Sequence, residues 1–154
     1  NPERYEVRVM KKILMGLLMA AVTVIFSGCG PAPEDLPANP VIIEFYQYPP
    51  GSEYGYSAFD YNGRTYISYA SRHNNVPEKH VGTYLGVRMY NGEVRDGDWV
   101  VSLKDFENED ILLLHYPFGV MEPEDYYRAE DTKGQILEWP DHLWYDWLYG
   151  YWEE

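Results

Sequence analysis

The sequence predicts a small, mainly β domain, arranged as an antiparallel meander or open barrel with a short C-terminal helix. Three observations support this prediction. The 154-residue chain contains 16 Tyr, a residue that favours strands. Apolar runs of strand length recur after residue 40. Asn-Gly pairs follow two of these runs. An α+β fold is the alternative.

Two Asn-Gly pairs predict tight hairpin turns. Asn62-Gly63 lies between runs at 54–61 and 64–70, and Asn91-Gly92 follows the alternating run at 83–90. The commonest two-residue hairpin loop needs positive φ at both central residues, which Asn and Gly adopt most readily. Further strands are predicted at 41–48, 99–104, 111–116 and 124–129.

Alternation along these runs predicts which strand faces are buried. Leu85, Val87 and Met89 are expected to share one face of their strand. The run at 99–104 is expected to bury a single side, through its odd-numbered residues. The run at 111–116 is apolar on both faces, which predicts a central strand.

The last sixteen residues are crowded with aromatic side chains. Pro140 before residues 141–149 predicts a short helix, because proline is favoured just inside a helix start. Buried, the rings would pack this helix on the sheet. Exposed, they would form a stacking surface for a sugar, a peptide or a lipid interface. Both alternatives stay open, and the candidate ligand-binding residues are Trp144, Trp147, Tyr151 and Trp152.

The N-terminal region has the order of an export signal. Lys11-Lys12 precede the apolar run 13–26, which small residues and Cys29 follow. As a helix this run covers about 21 Å, which is short for a bilayer core of about 30 Å. The run is therefore predicted to be the apolar region of a signal peptide rather than a permanent span.

Phe26-Ser27-Gly28-Cys29 resembles the lipobox of bacterial lipoproteins, although Phe26 stands where that family usually has an aliphatic residue. The resemblance implies that the Cys29 thiol receives a diacylglyceryl group and that cleavage makes Cys29 the new N-terminus. The implied partner is the membrane, contacted through the lipid on Cys29. The implied location is the extracytoplasmic face of the cell membrane, or the outer membrane if the cell has two.

The signal-peptide interpretation divides the chain into four segments. Residues 1–9 are interpreted as an upstream extension, because Glu3 and Glu6 do not suit a signal n-region. Residues 10–28 form the predicted signal peptide, and 29–40 a proline-rich tether favouring polyproline II. Residues 41–154 are predicted to form a single small globular domain.

Charge excludes one class of partner. Four of the 12 Lys and Arg residues and two of the 25 Asp and Glu residues precede Cys29, which leaves 8 basic against 23 acidic residues, a net charge of −15. Nucleic acid binding requires basic side chains that neutralise phosphates, so it is not expected. A basic partner remains electrostatically compatible.

No motif predicts a catalytic residue, a cofactor or a metal site. The chain has no H-E-x-x-H pattern, and Cys29 is its only cysteine. His73 and His80 lie close enough in sequence to face one ligand, but a solvated loop is the favoured interpretation. The acidic run at 105–110 lacks the spacing of an EF-hand.

Short blocks of the mature region also resemble small, uncharacterised bacterial lipoproteins. These blocks are 61–67, 81–86, 100–104 and 126–129, and the resemblance covers about 59–132. The shared features are turn and strand residues, which imply no activity.

The leading functional hypothesis is therefore a membrane-anchored, non-catalytic binding or accessory module for an unknown protein or glycan ligand. One alternative is an immunity or inhibitor protein whose acidic face blocks a basic partner. Another is a cell-envelope hydrolase, which would need a cleft holding two carboxylates or a histidine with an acid.

Overall fold

The computed structural model describes residues 36–119 and 122–153, where the backbone forms eight strands and no α-helix. The mainly β class is confirmed. The strands are β1 (Ile42–Tyr48), β2 (Tyr56–Tyr61), β3 (Arg64–Arg72), β4 (Val81–Tyr90), β5 (Glu93–Leu103), β6 (Ile111–His115), β7 (Glu124–Ala129) and β8 (Trp147–Leu148). Single 3-10 turns lie at Glu78–His80, Glu130–Thr132, Asp141–Leu143 and Gly150–Trp152. None of the helical turns in the described ranges is long and apolar enough to cross a membrane.

Seven strands close into a barrel in the order β1–β4–β5–β6–β7–β3–β2, with β2 paired back to β1. Strands β1 to β3 form one meander, and strands β4 to β7 form a second. The two meanders are joined by antiparallel pairing of β3 with β7 and by parallel pairing of β1 with β4. The predicted barrel alternative is therefore present, but the barrel is closed rather than open, and one of its strand pairs, β1–β4, is parallel. Closure pairs the edge strands of the two meanders, which an open sheet would leave exposed.

Both Asn-Gly hairpins form as predicted. Asn62 and Gly63 have φ of 49° and 74°, and Asn91 and Gly92 have φ of 51° and 77°. Positive φ at both central residues matches the right-handed twist of the flanking strands. These local signals set the register of the residues next to each turn.

The predicted C-terminal helix is wrong. Only residues 141–143 form a helical turn, and the chain then extends into β8. Because β2 pairs with residues 64–67 of β3, residues 70 and 71 are left for β8 to pair with. The carbonyls of Ser71 and Tyr69 accept the N–H groups of Asp146 and Tyr149, both at 2.8 Å. An isolated helix this short is only marginally stable, so these sheet bonds decide the conformation.

Aromatic rings fill much of the barrel interior. Phe59 is fully buried, with its ring centroid 4.7 Å from Phe45 and 5.0 Å from Tyr127. Because β1 and β7 are not neighbours in the sheet, the 5.4 Å contact between Phe45 and Tyr127 crosses the interior. The other buried members of this interior cluster are Ile43, Tyr66, Val100, Leu112, Leu114, Tyr116 and Ala129.

A second core lies on the outer face of the five strands from β3 to β7, and the segment that follows β7 covers it. Strand β6 serves both cores, because Leu112 faces the interior and Leu113 faces outward, and both are 0% exposed. Leu143 is fully buried in this outer cluster, and the Trp139 ring lies 5.4 Å from that of Phe106. The C-terminal segment therefore covers sheet surface that would otherwise face water.

Two predictions about strand faces were wrong. Leu85 packs on the interior cluster whereas Val87 belongs to the outer cluster, because the β4–β5 register shifts at Leu85, between Tyr84 and Gly86. The strand at 99–104 buries both sides, since Val100 and Val101 are each 0% exposed. A strand with a core on each face carries apolar residues at consecutive positions.

Arg64, directly after the first Asn-Gly turn, joins three loops at one end of the barrel. Its guanidinium binds Asp131 through Nε and Nη2, at 2.9 and 2.7 Å, and Asp110 at 2.9 Å. It also donates to the carbonyl of Asn108 at 3.0 Å. Hydrogen bonding to Arg64 lowers the pKa of Asp131, which keeps this carboxylate ionised.

We expect Phe59→Ala to destabilise the barrel strongly, because it leaves a cavity among rings that contact one another across the interior. The free energy of unfolding, measured by urea titration, should fall by about 4 kcal/mol. Tyr54→Ala is the matched control, since Tyr54 is 90% exposed and should change stability by less than about 0.5 kcal/mol. Equal effects of the two substitutions would contradict the described interior; Phe59→Leu supplies a milder variant if Phe59→Ala does not fold.

Candidate functional site

The structure separates the four predicted ligand-binding aromatics into two pairs. Trp144 and Trp147 are 42% and 38% exposed, whereas Tyr151 and Trp152 are only partly exposed. Cys29, the predicted lipid attachment residue, lies outside the described residues. The four rings do not share a helical face, because the helix does not form.

The Trp144 ring stacks on a buried arginine. The guanidinium carbon of Arg72 lies 4.4 Å from the centroid of the Trp144 ring. Arg72 is 3% exposed and donates to the hydroxyl of Tyr126 at 3.1 Å. It also donates to the carbonyls of Asn74 and Asn75. A guanidinium that is itself fixed by hydrogen bonds therefore holds one side of the Trp144 ring, while 42% of the residue stays exposed.

Trp147 is held by a neighbouring histidine. The rings of His73 and Trp147 meet edge to face with centroids 5.2 Å apart. Asp146 accepts from the backbone N–H of His73 at 2.7 Å and lies 2.9 Å from its Nδ1. These hydrogen bonds lower the pKa of Asp146. We call Trp144 and Trp147, together with the Arg72 and His73 side chains that contact them, the indole surface.

Tyr151 and Trp152 pack back onto the barrel instead. The Tyr151 ring lies 5.7 Å from Tyr48, and the Trp152 indole N–H donates to the carbonyl of Ser68 at 3.0 Å. The Arg128 guanidinium lies 4.8 Å from the Trp152 ring. A recess beside this ring is lined by Arg128, Lys133, Gly134, Gln135, Ile136 and Trp152. Their contacts indicate that this pair mainly secures the end of the chain.

A buried histidine lies between two carboxylates at the end of β6. His115 is 2% exposed, with Nδ1 2.6 Å from Glu124 Oε1 and Nε2 2.7 Å from Glu78 Oε1. An ionised carboxylate only accepts hydrogen bonds, so satisfying both contacts requires a proton on each ring nitrogen. Burial alone would lower the pKa of His115, but the two carboxylates outweigh it and raise the pKa above its ordinary value.

Glu124 connects this histidine to the chain that covers it. Its side chain is fully buried; Oε1 also accepts from the backbone N–H of Tyr116 at 3.1 Å. Oε2 accepts from the N–H of Val76 at 2.7 Å. On the other side, Glu78 accepts from the hydroxyl of Tyr84 at 3.1 Å. The network therefore fastens the 73–80 connection, which joins the two meanders, to the barrel wall.

The chemistry of this network is structural in the described geometry. A histidine with a carboxylate can transfer protons, and a general base must reach the substrate. Both ring nitrogens of His115 already contact protein oxygens, and the ring is almost wholly buried. The arrangement leaves neither nitrogen directed at a ligand.

A second histidine cluster brings three distant segments together. His80 ends a helical turn, Asp105 follows β5 and His142 lies in the turn at 141–143. His80 Nδ1 is 3.6 Å and His142 Nε2 is 3.1 Å from the two oxygens of Asp105. The imidazole rings stack with centroids 4.2 Å apart. Desolvation and the adjacent His142 lower the pKa of His80, which favours the neutral ring.

Sequence reasoning missed this cluster. It considered His73 with His80 because they are close in the chain, but His73 pairs with Asp146 and His80 lies against His142. His80 and His142 belong to separate segments that only tertiary packing brings together. The sequence signals that come nearest are the acidic run containing Asp105 and the proline before the turn at 141–143.

Comparison of the chain with protein-family models, with curated proteins and with solved structures finds no match.

We expect Glu124→Gln to lower the raised pKa of His115 and to destabilise the fold by about 3 kcal/mol, because it removes the buried charge partner of the imidazolium. NMR titration of the His115 ring measures the first effect, and urea unfolding measures the second. Glu78→Gln is the matched control on the other ring nitrogen; since the Glu78 side chain is 53% exposed, its cost should be smaller.

The sign of the pH dependence follows from the direction of the pKa shift. The pKa of His115 is higher in the folded protein than its unfolded value of about 6.5. Just above pH 6.5 the folded protein therefore keeps a proton on this ring that the unfolded chain has lost. The His115 contribution to stability is therefore complete below that pH and is lost as the pH rises through the folded pKa. His115→Gln should abolish this portion of the pH profile. An unchanged profile in that variant would contradict the assignment.

Proposed function

We propose that the chain is a lipid-anchored protein of the bacterial envelope whose barrel carries a non-catalytic binding surface. The sequence around Cys29 supports the anchor, and the indole surface supports the binding role. The observation that supports the binding role is that two tryptophans are exposed on a segment whose backbone is hydrogen-bonded to β3.

The anchor follows from physical chemistry. Stable membrane attachment by lipid takes about two acyl chains, and a diacylglyceryl group on Cys29 supplies both. The proline-rich segment at 31–40 would then separate the barrel from the bilayer by up to about 30 Å. The acidic charge of the processed chain opposes direct contact with anionic lipid and favours this separation.

The indole surface has the properties of a ligand contact. The buried Arg72 guanidinium holds one side of the Trp144 ring, so binding would cost that ring little additional side-chain entropy. The Trp147 ring contacts the more exposed His73 ring edge to face. Tyr145, 37% exposed, adds a third partly exposed ring to the same segment. Large aromatic rings with one free face suit stacking on a sugar ring or on an apolar side chain. Such rings are also enriched among the residues that dominate binding energy.

We expect Cys29→Ser to abolish lipid modification, because only a thiol is acylated in this way. The wild-type product should carry a diacylglyceryl mass on Cys29 and sediment with membranes, as measured by mass spectrometry and fractionation. Ser27→Ala is the control, since it keeps a small residue before the cysteine and should still be processed. A free Cys29 thiol on the exported product, or full-length protein left in the cytosol, would refute the anchor.

We expect Trp144→Ala and Trp147→Ala each to weaken ligand capture, by about 2 kcal/mol, which is about 25-fold in Kd. The immobilised full chain is incubated with native envelope material at low and high salt, and the retained protein and glycan are quantified. Tyr54→Ala, an exposed aromatic on the β1–β2 connection, is the control and should leave capture unchanged.

Thermal melting must show that both tryptophan variants remain folded. Capture that survives high salt indicates stacking or apolar contacts at the indole surface, whereas salt-labile capture of one basic protein indicates an inhibitor of that protein instead. Equal capture by wild type and both tryptophan variants would refute the binding role of this surface.

A further inference from the structure

We propose that His80, Asp105 and His142 form a binding site for a zinc ion. The three residues present two imidazole nitrogens and a carboxylate oxygen whose ligand atoms all lie within 4.8 Å of one another. Zinc sites in proteins are built from nitrogen, sulfur and carboxylate ligands of this kind. Calcium and magnesium instead prefer a set of oxygen ligands, which this cluster does not supply.

The ligand atoms lie near the spacing that tetrahedral coordination requires. With metal–ligand distances of about 2.0–2.1 Å, adjacent ligand atoms in a tetrahedral site lie about 3.4 Å apart. His142 Nε2 is 3.1 Å from Oδ1 of Asp105 and His80 Nδ1 is 3.6 Å from Oδ2, so each imidazole faces a different carboxylate oxygen. Because the two rings stack with centroids 4.2 Å apart, side-chain rotation must turn both nitrogens toward one point when the metal binds.

The backbone of each ligand is fixed by the outer core. The residue after each one in the chain is a buried apolar member of the outer cluster: Val81 at 2%, Phe106 at 9% and Leu143 at 0% exposed. The backbone N–H of Lys104 also binds the carbonyl of His80 at 3.0 Å. Ligands anchored in this way are already assembled, so metal binding does not have to order three separate loops.

The site is open to solvent on one side. The His142 side chain is 46% exposed, and those of His80 and Asp105 are 20% and 23% exposed. Three protein ligands leave a fourth coordination position for water or for a group on a partner. The chain's net charge of −13 adds a general attraction for a divalent cation. This inference does not depend on the indole surface, which uses other side chains.

Isothermal titration of Zn²⁺ into the full-length chain in detergent tests the proposal. The background carries Cys29→Ser, so that the single thiol cannot bind the metal. We expect one zinc ion per chain. His80→Ala, Asp105→Ala and His142→Ala should each weaken binding by more than about 100-fold, because even loss of a residue that only orients a ligand costs up to that factor.

His73→Ala is the matched control, since this histidine also pairs with an aspartate but lies outside the cluster. It should bind zinc as the parent does. A melting temperature that rises with zinc in the parent, and not in His142→Ala, provides a second readout. The proposal is overturned by absence of saturable binding, by equal loss in His73→Ala, or by displacement of zinc with excess Ca²⁺ or Mg²⁺.

Discussion

Leu143 and Trp139 hold the C-terminal segment against the outer face of the barrel, and both candidate sites depend on that contact. Leu143 is fully buried, and the Trp139 indole N–H donates to its carbonyl. His142 immediately precedes this anchor and Trp144 immediately follows it. Burial of these apolar side chains therefore fixes the backbone around Leu143. It thereby positions His142 of the histidine cluster on one side and Trp144 of the indole surface on the other.

The barrel wall has a core on each face, and this explains its unusual composition. Strand β6 is buried along its whole length, so none of its side chains can be polar without a partner. His115, at its end, meets that requirement with carboxylates on both ring nitrogens. Aromatic rings serve both faces, since they fill the interior and also cover the outer cluster through Trp139. A small domain thus obtains two apolar layers from one sheet.

Short sequence signals predicted the turns between neighbouring strands, but they did not predict which distant strands pair with each other. Each Asn-Gly turn is specified within four residues, so the sequence located both hairpin turns, although β5 begins at Glu93 rather than at the predicted residue 99. The parallel β1–β4 pair that closes the barrel has no such signature, because its partners are separated by two further strands. The β4 register shifts placed Leu85 and Val87 in different cores, although strict alternation groups them together.

The C-terminal helix was predicted wrongly, and the histidine cluster was not predicted at all, for a related reason. The spacing of residues 144, 147, 148 and 151 suggested one face of a helix, but the carbonyls of β3 accept hydrogen bonds from this segment, which a sequence pattern does not reveal. His80 and His142 meet only because two separate segments pack on one outer core. Of the four candidate ligand-binding residues, Trp144 and Trp147 are exposed, while Tyr151 and Trp152 contact the barrel. Their role in ligand binding stays a prediction.

Arg64 also restricts which connections of this fold can change length during evolution. Its guanidinium is shared among the β2–β3 turn, the β5–β6 loop and the turn after β7. An insertion or deletion in any one of these would move an acceptor out of reach of the other two connections. Their lengths are therefore mutually constrained, and variation is better tolerated at the far end of the barrel, where Tyr54 extends into solvent.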